Sequence, residues 1–180
     1  ECLADAGWSE SVDALVQQQV REPLEERRER AGIRRHGNIG NAVSLEVQSL
    51  YEENPYPRWV AVSSAFKARR LDQLLAYKFP HQHFVDESNG RPTEILIAGC
   101  GTGQNSIETA LCMKGCRVLG IDLSLASLGY ARRKSEEAGL HIAYGQADIL
   151  ERDAPAENGI LLANPPYGVR IGEQEELGEI

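Results

Sequence analysis

Long apolar runs are missing from this 180-residue chain. No stretch approaches the roughly 18 residues that a membrane-spanning helix requires, and there is no secretory apolar segment, so a cytoplasmic location is expected. Excess basic charge is missing too. Against 27 acids stand 19 Lys plus Arg, a net charge of −8. A stand-alone electrostatic binder of nucleic acid is therefore not expected, because such binding rests on neutralising phosphates; a local basic patch stays open. Cysteine is scarce. Cys2, Cys100, Cys112 and Cys116 are too few and too scattered for a disulfide scaffold. Cys112 and Cys116 lie four apart in an apolar helical stretch, with no His or further Cys at ligand spacing, and read as reduced core residues rather than a metal site. Met113 is the only methionine, so the chain is expected to be a fragment or a processed product. Internal repeats and low-complexity tracts are lacking. What remains, 42% hydrophobic and 26% charged residues, is the composition of one globular α/β domain.

Along the chain, residues 9–30 show helical spacing at Val12, Leu15, Val16 and Val20, with Ser9 or Ser11 placed to cap the start. Pro23 is expected to break or kink the run. The charged stretch 24–30, with Glu26 and Arg30 at i, i+4 spacing, reads as a solvated helix face. Gly32, Gly37 and Gly40 mark a loop. A second helix is suggested by Val43, Val47, Leu50 and Tyr51, then a non-helical break by Asn54-Pro55-Tyr56-Pro57. A third helix, in two pieces, is expected to carry Trp59, Val60, Phe66, Leu71, Leu74 and Leu75, with Lys67, Arg69 and Arg70 on its polar side. After a turn-rich linker at 86–92, strands at 95–98, 117–121, 141–144 and 159–163 alternate with helices at 107–114 and 125–138. That alternation predicts an α/β fold with a parallel sheet. Residues 1–86 would form a helical N-terminal region and 87–180 the sheet domain.

The sharpest motif is Ile95-Leu96-Ile97-Ala98-Gly99-Cys100-Gly101-Thr102-Gly103-Gln104. A buried strand runs into alternating glycines and then a helix. Glycines permit the tight turn and close backbone approach, and the helix N-terminus supplies free N–H groups. Gln104 stands where a dinucleotide fingerprint would have its last glycine, which weighs against NAD or FAD. About 20 residues on, Asp122 ends the next strand, where an acid accepts bonds from both ribose hydroxyls. A ribose without a pyrophosphate points to an adenosine ligand such as S-adenosylmethionine. The bland alternative is a plain strand-to-helix turn with Asp122 as a helix-capping acid.

Residues 95–149 resemble the front half of a class I S-adenosylmethionine-dependent methyltransferase. Gly99 to Gly103 resembles that family's first motif, Gly120-Ile121-Asp122-Leu123-Ser124 its second and Gln146-Ala147-Asp148-Ile149 its third. The resemblance implies a Rossmann-like sheet. It also implies S-adenosylmethionine as cofactor, held by Gly99, Gly101, Gly103, Asp122 and Leu123, with Asp148 at the adenine amino group and Ile149 against the ring. Many members carry an acid where Ile97 stands, which leaves the methionyl end to the loop backbone. Residues 36–150 are closer still to bacterial methyltransferase domains attached to tetratricopeptide repeats, through Tyr51-Glu52-Glu53-Asn54-Pro55-Tyr56-Pro57-Arg58-Trp59. By that likeness the aromatic, proline-rich segment lies over the cofactor pocket; the alternative is a rigid connector between helices.

A second chemical signal is Leu161-Leu162-Ala163-Asn164-Pro165-Pro166-Tyr167-Gly168. The prolines remove two N–H donors, leaving the Asn164 side chain and a backbone carbonyl as acceptors for an amino group. Tyr167 would stack on a flipped base. The alternative is a strand-terminating turn. The word resembles the fourth motif of amino-group methyltransferases, and its extension to Gly172 resembles the ribosomal RNA guanine-N2 branch, so a junction near 148–153 is expected. The resemblance implies Asn164, Pro165 and Tyr167 as the catalytic residues. The expected function is methyl transfer to an exocyclic base nitrogen, guanine-N2 or adenine-N6, in RNA. The alternatives are a repeat-associated enzyme acting on a protein or small molecule, and a non-catalytic cofactor-binding fragment. Family members have seven strands; only four are legible here. The sheet is therefore expected to be truncated after the fourth, leaving an exposed edge prone to self-association.

Overall fold

Residues 10–31 are continuously helical. α1 (Glu10–Val16) passes through a π-helical turn, Gln17–Arg21, into α2 (Glu22–Ala31). The π turn explains why Pro23 neither breaks nor ends the run. Glu22 N–H reaches back to the Gln17 carbonyl, and Pro23 falls in the first turn of α2, where its missing N–H breaks no intrahelical bond. Ser9 occupies the N-cap position of α1 through its backbone carbonyl, which accepts from Val12 and Asp13, not through its side chain. The computed structural model describes residues 8–62, 67–85 and 89–149 and the backbone of 160–163.

The expected glycine-marked loop holds a strand, β1 (Arg34–His36). α3 (Ala42–Glu53) follows, N-capped by Asn41, whose Oδ1 accepts from the N–H groups of Val43 and Ser44. The expected third helix is shorter than its apolar residues suggested. Only α4 (Leu71–Lys78) is helical, and Trp59 and Val60 belong to an irregular segment after Pro57. Phe66 lies outside the described residues. Then come β2 (Thr93–Ala98), α5 (Gln104–Cys112), β3 (Cys116–Asp122), α6 (Leu125–Glu137), β4 (Ala143–Ala147) and β5 (Ile160–Ala163).

The strands form one parallel sheet in the order β1-β4-β3-β2-β5. The α/β prediction is borne out, and the first 86 residues add a strand at one edge that the sequence reading did not contain. From β2 the chain steps outward through β3 to β4, then returns to β5 on the other side of β2. The order therefore reverses at β2, and open α/β sheets bind ligands at the carboxyl ends of strands beside such a reversal. Ile95, Ile97, Val118, Met113, Leu128, Ala131, Tyr144 and the Cys100 side chain form the core between sheet and helices, and Ile33 joins them from the turn before β1.

The stretch 24–30 is not a solvated face throughout. Glu26 is only 2% exposed. Its carboxylate takes the Arg58 guanidinium at 2.8 Å and Arg133 Nη2 at 3.1 Å. Arg133, itself 4% exposed, also pairs with Glu22 and Glu137. Beside them the Tyr130 ring lies under the guanidinium carbons of Arg58, at 4.7 Å, and Arg133, at 5.1 Å. The network fastens α2 and the 58–59 segment to α6. In α3 the inward positions are Ser44, Val47, Gln48, Tyr51 and Glu52, while Leu50 is exposed. Val43 is half-buried too, so of the four apolar residues that suggested this helix Val43, Val47 and Tyr51 face inward and Leu50 does not, and polar side chains share the face.

Candidate cofactor site

The glycine loop starts where β2 ends. Gly99, Gly101 and Gly103 have φ of 71°, 53° and 82°, which glycine adopts freely and other residues do not. The N–H groups of Gly99 and Cys100 both donate to the Ile121 carbonyl, at 2.9 and 3.0 Å, folding the loop over the end of β3. Around Gly101 the space is open: a Cβ there would meet only the Tyr56 carbonyl, at 4.0 Å. Gly103 is tight instead. A Cβ would sit 2.5 Å from that of Ala131, so this glycine lets α5 begin against α6. Cys100 points inward, and burial, with the Asp122 carboxylate next, pushes its thiol well above the usual value.

Asp122 ties this loop to the next one. Its Oδ2 accepts from the Gly101 N–H at 2.8 Å, and its Oδ1 from the Ser124 N–H at 3.0 Å. Burial pushes its carboxyl above the usual Asp value, while the N–H bonds from Ser124 and Gly101 act the other way. The helix-capping role foreseen as one alternative falls to Ser124 instead, whose side chain accepts from Ser127 N–H, while Asp122 holds the N–H of that cap residue. Each carboxylate oxygen keeps a second acceptor site, the capacity that ribose hydroxyls would use.

The turn after Asp122 is gripped from three elements. The Leu123 carbonyl accepts from Gln48 of α3 at 3.1 Å and from Gln146 of β4 at 2.8 Å. Ser124 Oγ donates to the Tyr51 carbonyl and accepts from Ser127 N–H, both at 3.0 Å. Glu52 accepts from the N–H groups of Leu125 and Ala126, at 2.5 and 3.2 Å, at the positive end of the α6 dipole. Gln48 was not singled out in the sequence and Glu52 only as part of a longer word, since nothing local marks a partner more than 70 residues away.

The aromatic, proline-rich segment packs on the glycine loop. Thr102 Oγ1 donates to the Pro57 carbonyl at 2.6 Å, and the Trp59 indole N–H to the Thr102 carbonyl at 3.1 Å. Tyr130 donates to the Trp59 carbonyl. Asp148 is buried directly after β4, and Ile149 is half-buried beyond it. Gly99, Gly101, Gly103, Asp122, Leu123, Asp148 and Ile149 thus all lie on the loops leaving three adjacent strands at their carboxyl ends. Asn164, Pro165 and Tyr167 lie outside the described residues.

This set of groups fits an adenosyl ligand. The backbone at Gly101 is open to close approach, the N-terminus of α5 supplies N–H donors and positive potential for a carboxylate, and Asp122 offers a buried carboxylate to hydroxyls. No cluster of metal-binding side chains occurs among the described residues.

A family model described as a methyltransferase domain matches residues 95–161. The ribosomal RNA large subunit methyltransferase K/L of Shewanella baltica is 39% identical over 74 residues, which cover 39% of this chain and 10% of that protein. The release factor glutamine methyltransferase of Enterococcus faecalis is 32% identical over 84 residues, covering 47% of this chain and 29% of that protein. The chain thus spans about a tenth of the ribosomal relatives and under a third of the release-factor enzyme. Among solved structures, coclaurine N-methyltransferase bound to N-methylheliamine and SAH aligns with TM-score 0.45 at 19% identity, covering 83% of this chain and 47% of that one. Magnesium protoporphyrin IX methyltransferase from Synechocystis with bound SAM aligns with TM-score 0.44 at 18% identity, covering 69% and 64%. Residues 95–161, which include the glycine loop and the strand-end acid just described, thus carry a methyltransferase domain similar to those of S-adenosylmethionine-dependent enzymes.

Proposed function

We propose that the chain binds S-adenosylmethionine across Gly99–Gly103, Asp122 and Asp148 and transfers its methyl group to an exocyclic amino nitrogen of an RNA base. The observation that carries the acceptor half is a strand register. Ala163 of β5 pairs with Ala98 of β2, and the next residues in the two chains are Asn164 and Gly99. The Asn-Pro-Pro-Tyr word thus follows in sequence on the strand that pairs with β2, as the glycine loop follows on β2 itself. The match to ribosomal RNA methyltransferases supports RNA as the acceptor class.

When bound, the cofactor supplies a methyl carbon on a sulfonium. The protein's own work is positioning. Asp122, which holds the N–H groups of Gly101 and Ser124, would accept from the ribose hydroxyls, and the α5 N-terminus would supply donors to the carboxylate end. Asn164 and a neighbouring carbonyl accept the two hydrogens of the acceptor amine, which turns the nitrogen lone pair away from the base plane and towards the methyl carbon. The chemistry supplied there would be transfer of the methyl group from sulfur to that nitrogen, which would then lose a proton to solvent. No strong base is needed, since the proton leaves after transfer. A side-chain amide in a protein is the second acceptor reading, favoured by the likeness to the release factor enzyme; it presents the same planar NH2.

The test has two readouts. Calorimetry with S-adenosylhomocysteine should show micromolar-range binding, weakened tenfold or more in Asp122→Ala, because bonds to a charged group are worth about 1.5–3 kcal/mol each. Tritium transfer to unmodified ribosomal RNA should be abolished in Asn164→Ala with cofactor affinity kept, since that contact matters in the transition state. Transfer to a protein and none to RNA would replace the acceptor; equal affinity in wild type and Asp122→Ala would remove the ribose assignment.

A further inference from the structure

Between residues 22 and 36 the sequence holds the acids Glu22, Glu25, Glu26 and Glu29 and the arginines Arg27, Arg28, Arg30, Arg34 and Arg35. By count it is close to neutral, within a strongly acidic chain. Folding sorts these charges. Glu22 and Glu26 turn inward to Arg133, and Glu29 takes Arg132 Nε at 2.7 Å. Arg30 turns towards Glu52, at 4.0 Å. Glu25 is the one acid of the segment left exposed. Arg27, Arg28, Arg34 and Arg35 are all exposed, and among the described residues none of them has an ion-pair partner. Three of the four acids are consumed against α6, which leaves Glu25 against four exposed arginines and makes the exposed charge of α2 and β1 net positive.

The place of this surface matters as much as its sign. Only Gly32 and Ile33 separate α2 from β1, so the four guanidinium groups follow one another over a short stretch of chain. β1 is the edge strand on the far side of β4, with Arg35 opposite Gln146 and His36 opposite Ala147. The residue after Ala147 is Asp148. Arg34 and Arg35 therefore stand on the edge strand beside the sheet end that carries the candidate site, and Arg27 and Arg28 precede them on α2. Guanidinium is the side chain best matched to phosphate, through its fixed fork of donors.

We propose that Arg27, Arg28, Arg34 and Arg35 form the docking surface for the phosphodiester backbone of an RNA substrate. The proposal rests on the RNA reading of the acceptor given above. It accounts for how a chain of net charge −8 meets a polyanion: the charge that counts is the local one on α2 and β1. It is testable apart from catalysis, because phosphate contacts set the salt dependence of binding.

The experiment is fluorescence anisotropy of the full chain with a labelled, unmodified ribosomal RNA fragment, from 50 to 200 mM salt. The chains compared are wild type, Arg34→Gln/Arg35→Gln, Arg27→Gln/Arg28→Gln and, as a control, Arg117→Gln at the opposite end of β3. Each double variant should weaken binding about tenfold at 50 mM and flatten the log–log salt slope by about 1.4–1.8, at 0.7–0.9 per lost phosphate contact. Arg117→Gln should change neither, and affinity for S-adenosylhomocysteine should be equal in all four. An unchanged slope in both double variants, or a loss equally large in Arg117→Gln, overturns the proposal. So does binding to vesicles of anionic phospholipid with none to RNA. If the slope flattens as expected while wild type transfers no methyl group to RNA, the surface stands and the catalytic reading falls.

Discussion

Replacing Glu26 by alanine tests whether the charged network between α2 and α6 holds the fold together. The side chain is 2% exposed, and Arg133 opposite it 4%. Removing one partner of a buried ion pair costs about 3–5 kcal/mol, because the other charge is left buried. Here Arg133 keeps Glu22 at 3.0 Å and Glu137, and those carboxylates hold its charge high against the opposing effect of burial. The low end, about 3 kcal/mol, is therefore expected. Arg58 reaches the same carboxylate but is 42% exposed. Its removal should cost only about 1–2 kcal/mol, from a screened pair and its contact with the Tyr130 ring. In a chain of this size each kcal/mol moves the melting temperature by about 2–4 °C, so Glu26→Ala should melt about 6–12 °C below wild type. Thermal unfolding followed by circular dichroism measures both variants. A Glu26→Ala protein melting within 2 °C of wild type, or an Arg58→Ala protein less stable than Glu26→Ala, would refute the reasoning.

The glycine loop and Asp122 allow two sharper comparisons. Gly103→Ala should lose about 1–2 kcal/mol to left-handed backbone strain and about 1–3 kcal/mol more to overpacking against Ala131; Gly139→Ala, with φ of 67° and open space around it, should lose only the strain, and equal urea midpoints for the two would contradict the packing argument. The Asp122 carboxyl is raised above its ordinary 3.8, so between that value and the folded one the native state holds the extra proton. Asp122's contribution to stability is then greatest at low pH and falls as pH rises through that window. Affinity for S-adenosylhomocysteine should run the other way, weakening as pH falls into the same window, with the bend lost in Asp122→Asn; a flat wild-type profile would show that the carboxylate does not meet the ligand.

The parts of the site legible in the sequence are those where a residue's identity fixes its own backbone. Gly99, Gly101 and Gly103 announce positive φ by being glycine, and the apolar residues of β2 and β3 announce a buried strand. What stayed hidden depends on partners distant along the chain. β1 is Arg-Arg-His, with no apolar alternation, and it is a strand only because the edge of β4 offers bonds to a backbone whose side chains stay largely in water. Glu26 and its neighbours looked solvated because the arginine that buries Glu26 lies in α6. α3 turns Gln48 and Glu52 inward to satisfy backbone groups of the 123–126 turn, polar members of a face that hydrophobic spacing marked only by Val43, Val47 and Tyr51. Trp59 looked helical by apolar spacing, yet its indole is spent on the Thr102 carbonyl.

Glu26 and Arg133 are 107 residues apart in the chain, and that interval has a meaning in time as well as space. A ribosome adding about 5–20 residues per second emits Arg133 roughly 5–20 seconds after Glu26. Through that interval α2 has no α6 to pack on. A helix with a leucine and valine stripe at that face would wait with apolar surface exposed, open to aggregation. A helix whose contact face is Glu22, Glu26, Glu29 and Arg30 waits hydrated instead, and becomes sticky only when its counter-charges arrive. The charged seam between α2 and α6 thus lets α2 remain hydrated until the chain that completes it has been made.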